Sequence, residues 1–221
     1  MERCADALEQ GSMTIGRFIS IEGGEGAGKS TQIGLLAKKL KAHGLSVDLT
    51  REPGGTEGAE AIRQLLLDGG DDRWGAAAEA MLFAAARSDH VEKRIKPAVA
   101  AGTWVISDRF LDSSRAYQGA SLGLSDGVIL DLHRIGSGGY LPDRTIVLDL
   151  PLDASRMRTR ARDGDNADRI GGRNDAFHQR VRDAFHRIAA GEPERVRLVN
   201  ADGTPEQVSA RIFTELADLL P

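Results

Sequence analysis

The chain has a single cysteine, Cys4, among 221 residues. One cysteine rules out an intramolecular disulfide framework and a cysteine-rich zinc site, and it fits a reducing cytoplasm. Histidine is also sparse. His43, His90, His133, His178 and His186 are scattered, without the short spacings of a metal-ligand set, and all five read as helix-surface or helix-end residues. Aromatics make up 5% of the chain. No apolar run reaches the roughly 20 residues that span a bilayer. Lysine and arginine are spread along the chain apart from one arginine-rich stretch late in it, and the net charge is −4, so nothing looks like the footprint of a nucleic-acid binder. Residues 1–14 lack the apolar core of a signal peptide. They read as a flexible extension or a cloning remnant, with Met13 as one natural start.

Glycine is abundant, with 26 residues, and its densest stretch organises the rest. Gly23-Gly24-Glu25-Gly26-Ala27-Gly28-Lys29-Ser30-Thr31 follows a β-branched run, Phe18–Ile21, and precedes an amphipathic stretch to His43 with Ile33, Leu36, Ala37 and Leu40 on one face. A strand, a glycine loop and a helix in that order make a phosphate-binding P-loop. Glycines let backbone N–H groups turn toward phosphate oxygens, and the helix N-terminus adds a positive dipole end. Lys29 would reach the β- and γ-phosphates of ATP, and the Ser30 hydroxyl would hold Mg²⁺.

Four more strands read from the chain: Ser46–Thr50, Thr103–Ser107, Thr145–Asp149 and Arg195–Val199. Between them lie a helix capped by Thr56 and running to Leu67, a long alanine-rich helix from about Gly75 to Ala101 that Pro97 bends or restarts, a loop-and-helix segment at Ser113–Gly119, and helices at Asp126–Ile135, Asp153–Asp163 and Asp175–Ala190. A last helix covers Pro205–Leu220. Such alternation implies an α/β fold of three layers: a five-stranded parallel sheet with helices on both faces, in the P-loop NTPase manner. Residues 15–221 then form one domain. Ligands of such sheets bind beyond the carboxyl ends of the strands. The P-loop, the Arg51-Glu52-Pro53-Gly54-Gly55-Thr56 turn and Asp108-Arg109 all follow strands, so they should gather at one edge.

A P-loop edge admits a switch GTPase, a motor or a small-molecule kinase. The Asn-Lys-x-Asp segment of guanine-specific switches is missing, and the chain is compact for a motor. Arg156, Arg158, Arg160 and Arg162 crowd one helical stretch. They fit either a solvated helix or a flap, at about 156–172, that neutralises a transferring phosphoryl group. Phe83 and Arg87, four apart, share a helix face. Spacing alone reads them as core and solvated charge.

Beyond the P-loop and the Arg51–Thr56 turn, the chain carries Leu82-Phe83-Ala84-Ala85-Ala86-Arg87, Asp108-Arg109-Phe110, Ser113-Ser114-Arg115-Ala116-Tyr117-Gln118-Gly119 and Asp168-Arg169-Ile170. With these motifs in this order it resembles the bacterial thymidylate kinases from Phe18 onward. The resemblance implies phosphorylation of dTMP to dTDP with Mg·ATP. It implies that Phe83 stacks on thymine and Arg87 bonds its edge, that Arg109 holds the acceptor phosphate, and that Asp108 helps organise Mg²⁺. Ser114, Tyr117 and Gln118 would lie around the acceptor, with Tyr117 crowding a ribose 2′-hydroxyl. Glu25 would lie near the acceptor sugar, Arg51, Glu52 and Pro53 at the acceptor-side turn, and Asn200–Thr204 near adenine. Some members carry an arginine where this chain has Gly26. The flap arginines, Arg169 included, then supply that charge, and Arg158, Arg160 and Arg162 are the catalytic candidates. A homodimer through helices is implied too. The alanine-rich face at Ala76–Ala86 suits close packing, in a dimer or within one core. The other readings are a different nucleoside monophosphate kinase on the same architecture, or a P-loop switch without transfer activity.

Overall fold

The structure is a computed structural model that describes residues 15–70, 73–163 and 173–221, with side chains at all of these except 159–163. The expectations for residues 1–14, for the side chains of Arg160 and Arg162, and for Arg169 lie outside the described residues.

Strands β1 (Phe18–Gly23), β2 (Val47–Arg51), β3 (Trp104–Asp108), β4 (Arg144–Asp149) and β5 (Val196–Asn200) form one sheet in the order β2-β3-β1-β4-β5. Every pairing is parallel, with Ile21 opposite Asp108 and Ile146. Four of the strands run one or two residues past their expected ends, and β4 ends at Asp149 as expected, so all five carboxyl ends meet at one edge. The crossovers are helical: α1 (Lys29–Ala42), α2 (Glu57–Leu67), α3 (Ala76–His90), α4 (Lys96–Ala100), α5 (Leu111–Ser114), α6 (Asp126–Ser137), α7 (Leu152–Asp163) and α8 (Asp175–Gly191); α9 (Pro205–Thr214) follows β5.

The two-residue period of the strands sorts side chains between the two helical layers. Ile19 and Ile21 point with Ile106, Ile146 and Leu148 into a core closed by Leu36 and Leu40 of α1 and Ile212 of α9. Phe18 points the other way, toward Val105, Ile95 and Phe110. Its ring meets that of Phe110 edge-on at 4.8 Å. Burying each of these large side chains contributes about 2–3 kcal/mol. Ser20 and Glu22 share the side of Phe18, so the same alternation carries a carboxylate into the interior.

Three helices differ from their expected form. α1 begins at Lys29, because Gly28, at φ 92°, turns the loop straight into the helix. The long alanine-rich helix runs from Ala76 to Ala100 but widens to a π-turn at Val91–Ile95. Pro97 has no N–H to give the ladder, and the register shift just before it absorbs that loss. α2 ends at Leu67 as expected, with the Thr56 Oγ1 accepting from the Ala59 N–H at 3.3 Å. The last helix stops at Thr214, and a 3-10 turn follows at Ala217–Leu219.

Two histidines are not at the surface. His133 is 3% exposed, with its Nε2 2.9 Å from the Tyr140 carbonyl. His90, at the end of α3, is fully buried between two polar partners. Both sit on helix faces that neighbouring elements cover, which spacing along the chain does not reveal. Among the described residues, no helix is long and apolar enough to cross a membrane, and no cluster of histidine, cysteine and carboxylate side chains could hold a metal by itself.

Candidate active site

The carboxyl edge of the sheet opens into a cavity of about 430 Å³. Glu25, Gly26, Gly28, Lys29, Ser30 and Thr31 line its P-loop side, and Arg51, Glu52, Pro53 and Phe83 line the opposite side. Asp108, Arg109, Tyr117 and Gln118 lie between them, and Arg158 completes the lining from beyond the P-loop. Gly23, Gly24 and Ala27 are behind the lining. Gly23 and Gly24 turn their carbonyls to the Lys29 ammonium, at 3.2 and 3.0 Å, and Ala27 packs into the core. A Cβ on Gly23 would stand 2.6 Å from the Leu148 carbonyl oxygen, so the loop leaves the sheet where only glycine fits. Burial first, and then the charge of Arg109, pull the Lys29 ammonium below the ordinary lysine range.

Arg109 is the centre of the arrangement. It follows β3 at φ 71°, in the left-handed region that a long side chain adopts only when its surroundings enforce it. Its Nη1 donates to the Gly23 carbonyl and to Ser113 Oγ, each at 3.2 Å, and its Nη2 donates to Glu25. The guanidinium carbon lies 4.9 Å from the centre of the Tyr117 ring. One side chain thus ties the P-loop to α5 and to the π-turn after it, Arg115–Ser121. Burial pushes the Tyr117 hydroxyl up to about 12, so it stays protonated.

Behind Arg109 stands Glu22, a residue sequence reasoning did not single out. It accepts from Phe110 N–H at 2.7 Å, from Ser20 Oγ at 3.0 Å and from Ser113. Burial, reinforced by Asp112, raises its carboxyl to about 7. The available signal was a carboxylate immediately after the run Phe18–Ile21 and just before the glycine loop.

Of the arginine-rich stretch, Arg158 is the described member that reaches the P-loop. Its Nη1 donates to the Ala201 carbonyl at 3.3 Å and would lie 4.0 Å from a Cβ on Gly28. Arg156 turns away and pairs with Asp175. The loop at Asn200–Thr204 flanks this side, held by Arg211, which donates to the Asn200 and Asp202 carbonyls at 2.8 and 2.6 Å.

Arg87 and Ser114, expected around the acceptor, are not on the cavity wall. Arg87 is 2% exposed. Its Nε donates to Glu52 at 2.7 Å, and its Nη2 donates to Ser114 Oγ at 2.8 Å and to the Phe110 carbonyl at 3.2 Å. These partners hold it just behind Glu52, and Nη1 takes no part in these bonds. Gln118 lines the cavity and donates to the buried Glu79 at 2.9 Å.

The family model described as thymidylate kinase matches residues 21–212. A thymidylate kinase from Rhizorhabdus wittichii is 60% identical over 206 residues, 93% of this chain and 99% of the relative. The chain belongs to the thymidylate kinase family. A second member, from Bradyrhizobium diazoefficiens, is 48% identical over 98% of this chain and 96% of its own length. A crystal structure of thymidylate kinase from Ehrlichia chaffeensis superposes with a TM-score of 0.74 at 32% identity, covering 91% of this chain and 98% of that one. The thymidylate kinase family and the P-loop fold expected from the motifs are thereby established.

Proposed function

We propose that this cavity performs the family reaction, phosphorylation of dTMP to dTDP, with ATP over the P-loop and dTMP against Phe83. One observation carries the reading: Lys29, Arg109 and Arg158 converge on a single cavity whose far wall sets Phe83 and Pro53 beside Arg51 and Glu52. Cations at one end suit the phosphate chain, and a ring and a proline at the other suit a base.

The acceptor is an anionic phosphate oxygen, so no general base is required. That oxygen forms the new bond to the γ-phosphorus as the bond to the bridging β–γ oxygen breaks, leaving ADP. The chain's work is positioning and charge stabilisation. Backbone N–H groups at the start of α1 take the donor phosphates, and Lys29 follows the charge onto the β–γ oxygen. Arg109, braced on Gly23, Glu25 and Ser113, stands between donor and acceptor. Arg158 closes the P-loop side. Arg87 offers its Nη1 toward the base edge from behind Glu52, and Tyr117 crowds the sugar.

Ser30 and Asp108 are the residues that would hold Mg²⁺. Asp108 fits that role, because its Oδ1 is buried without a hydrogen-bond partner among the described residues. When bound, the ion neutralises the β- and γ-phosphates.

The protein acts in this reading as a cytoplasmic homodimer, without nucleic acid or membrane. Ala77, Met81 and Ala85 recur at helical spacing on the exposed face of α3, and α6, packed beside it, exposes Val128 and Ile135. Exposed apolar side chains on two adjacent helices support self-association.

The test is ADP release from Mg·ATP with dTMP, dUMP, AMP, CMP and GMP offered separately. Strong release with dTMP, weaker release with dUMP and background with the others is the expected result. Activity on a different monophosphate would displace the acceptor assignment, and no release with any of them would remove the transfer reaction itself.

A further inference from the structure

A buried chain of polar contacts runs behind the acceptor wall and includes two residues the reaction has not yet used. Thr50 Oγ1 lies 2.6 Å from His90 Nε2, and His90 Nδ1 lies 3.1 Å from Glu52 Oε1. The other oxygen of Glu52 accepts from Arg87 Nε at 2.7 Å. His90 is fully buried, and Arg87, Glu52 and Thr50 are 2%, 5% and 9% exposed. The contacts have a direction. The carboxylate already accepts from Arg87 Nε, and the arrangement suits a His90 whose Nδ1–H donates to Glu52 and whose Nε2 accepts from the Thr50 hydroxyl. Gly55 closes the group from the turn. A Cβ there would stand 2.5 Å from both His90 Nε2 and Thr50 Oγ1, so the backbone rests directly on the pair.

A buried imidazole has one donor and one acceptor to satisfy, so what distinguishes a histidine is which groups it chooses as partners. This one has a partner on each nitrogen, and both partners belong to the segment Thr50–Glu52 that forms the acceptor wall. Without the imidazole, Glu52 Oε1 is left buried and unpaired, which favours rotation of the carboxylate toward water. Arg87 would then lose its Nε partner and be held by Ser114 and the Phe110 carbonyl through Nη2 alone, so the plane of its guanidinium would no longer be fixed.

We propose that His90 is a positioning residue for acceptor recognition: oriented by Thr50, it fixes Glu52 and, through Glu52, the guanidinium of Arg87. The inference rests on the reading of this end of the cavity as the dTMP side. It assigns to the last turn of α3 a role in substrate choice, not in phosphoryl transfer.

The test uses the full chain carrying His90→Leu, His90→Asn or Thr50→Val, with KM for dTMP and for ATP, thermal unfolding, and the ¹⁵N signals of His90. Wild type should show the Nδ1–H tautomer. His90→Leu should raise the dTMP KM about tenfold and leave the ATP KM within about twofold, as expected for one lost buried hydrogen bond felt only by the acceptor. His90→Asn places an amide N–H near the Nδ1 position and should restore most of the loss. Thr50→Val removes only the hydroxyl and should raise the dTMP KM about threefold. It decides the matter if His90→Leu does not fold. Equal changes in both KM values, an unchanged dTMP KM in the folded variants, or an Asn variant no better than Leu would overturn the proposal. Failure of the dTMP reading itself is distinguishable, because it shows in the wild type as no dTMP-dependent ADP release.

Discussion

Replacing Glu22 by glutamine should change the pH dependence of stability in a calculable way. Glu22 is fully buried, and burial with Asp112 nearby raises its carboxyl from 4.5 to about 7. In the unfolded chain it titrates near the ordinary value. The folded state therefore binds the proton more tightly, and the stability this contributes is complete below about 4.5 and lost as the pH rises through about 7. At about 1.4 kcal/mol per pH unit of separation, the loss comes to about 3 kcal/mol. Glutamine does not ionise, so Glu22→Gln lacks this slope. Chemical denaturation of both proteins from pH 4.5 to 8.5 gives the comparison. The variant should gain about 3 kcal/mol on the wild type across that range. His133 is pushed down to about 4, chiefly by burial, and contributes the opposite slope between there and 6.5. It is present in both proteins, so it cancels in the difference. Two curves that stay parallel within about 1 kcal/mol would refute the reasoning.

Three further outcomes follow from the cavity. Lys29→Ala should lower kcat/KM about a thousandfold, the loss expected for a charge aimed at the transferring group; turnover near wild type would remove the P-loop from the reaction. Arg158→Ala should lower kcat about a hundredfold, and Arg156→Ala, whose side chain pairs with Asp175 instead, by less than about threefold; equal losses would mean that the stretch acts as a block of charge. Phe83→Ala should raise the dTMP KM far more than the ATP KM, and a matched rise in both would return Phe83 to plain core packing.

The parts of the fold written into short stretches were readable in advance. A glycine loop between a strand and a helix is a local pattern, and so is a β-branched run that ends in Asp108-Arg109 or Arg51-Glu52. These placed the cavity at the carboxyl edge and brought Lys29, Asp108 and Arg109 together. What the pattern withheld depends on partners far away in the chain. Glu22 is buried because Phe110 and Ser113, about ninety residues later, close over it. His90 and Arg87 are interior because the Thr50–Glu52 segment folds against α3. Helical spacing correctly put Phe83 and Arg87 on one face. It did not show that Phe83 reaches the cavity while Arg87 stops behind it. The choice between Arg156 and Arg158 likewise turns on where α8 begins.

Three buried carboxylates share one arrangement. Glu52 holds Arg87, Glu22 holds Ser113 and through it Arg109, and Glu79 holds Gln118 and, at 3.0 Å, Arg173. Glu52 and Glu79 face guanidinium groups, and a buried ion pair contributes little net stability, because desolvating both charges offsets most of their attraction; Glu22 faces hydroxyls and a backbone N–H and opposes folding once it ionises. Removing one partner is another matter and costs about 3–5 kcal/mol. Stability alone therefore gives no reason to keep three such acids within one small domain. Positioning does. A guanidinium recognises phosphate or a base edge only when its plane is fixed, and an exposed arginine would give up rotamer freedom on every binding event. Buried acids impose that loss once, at folding, and leave groups on and behind the wall already fixed. The same logic explains why Arg109 tolerates a left-handed backbone: its surroundings were built around where its guanidinium must point.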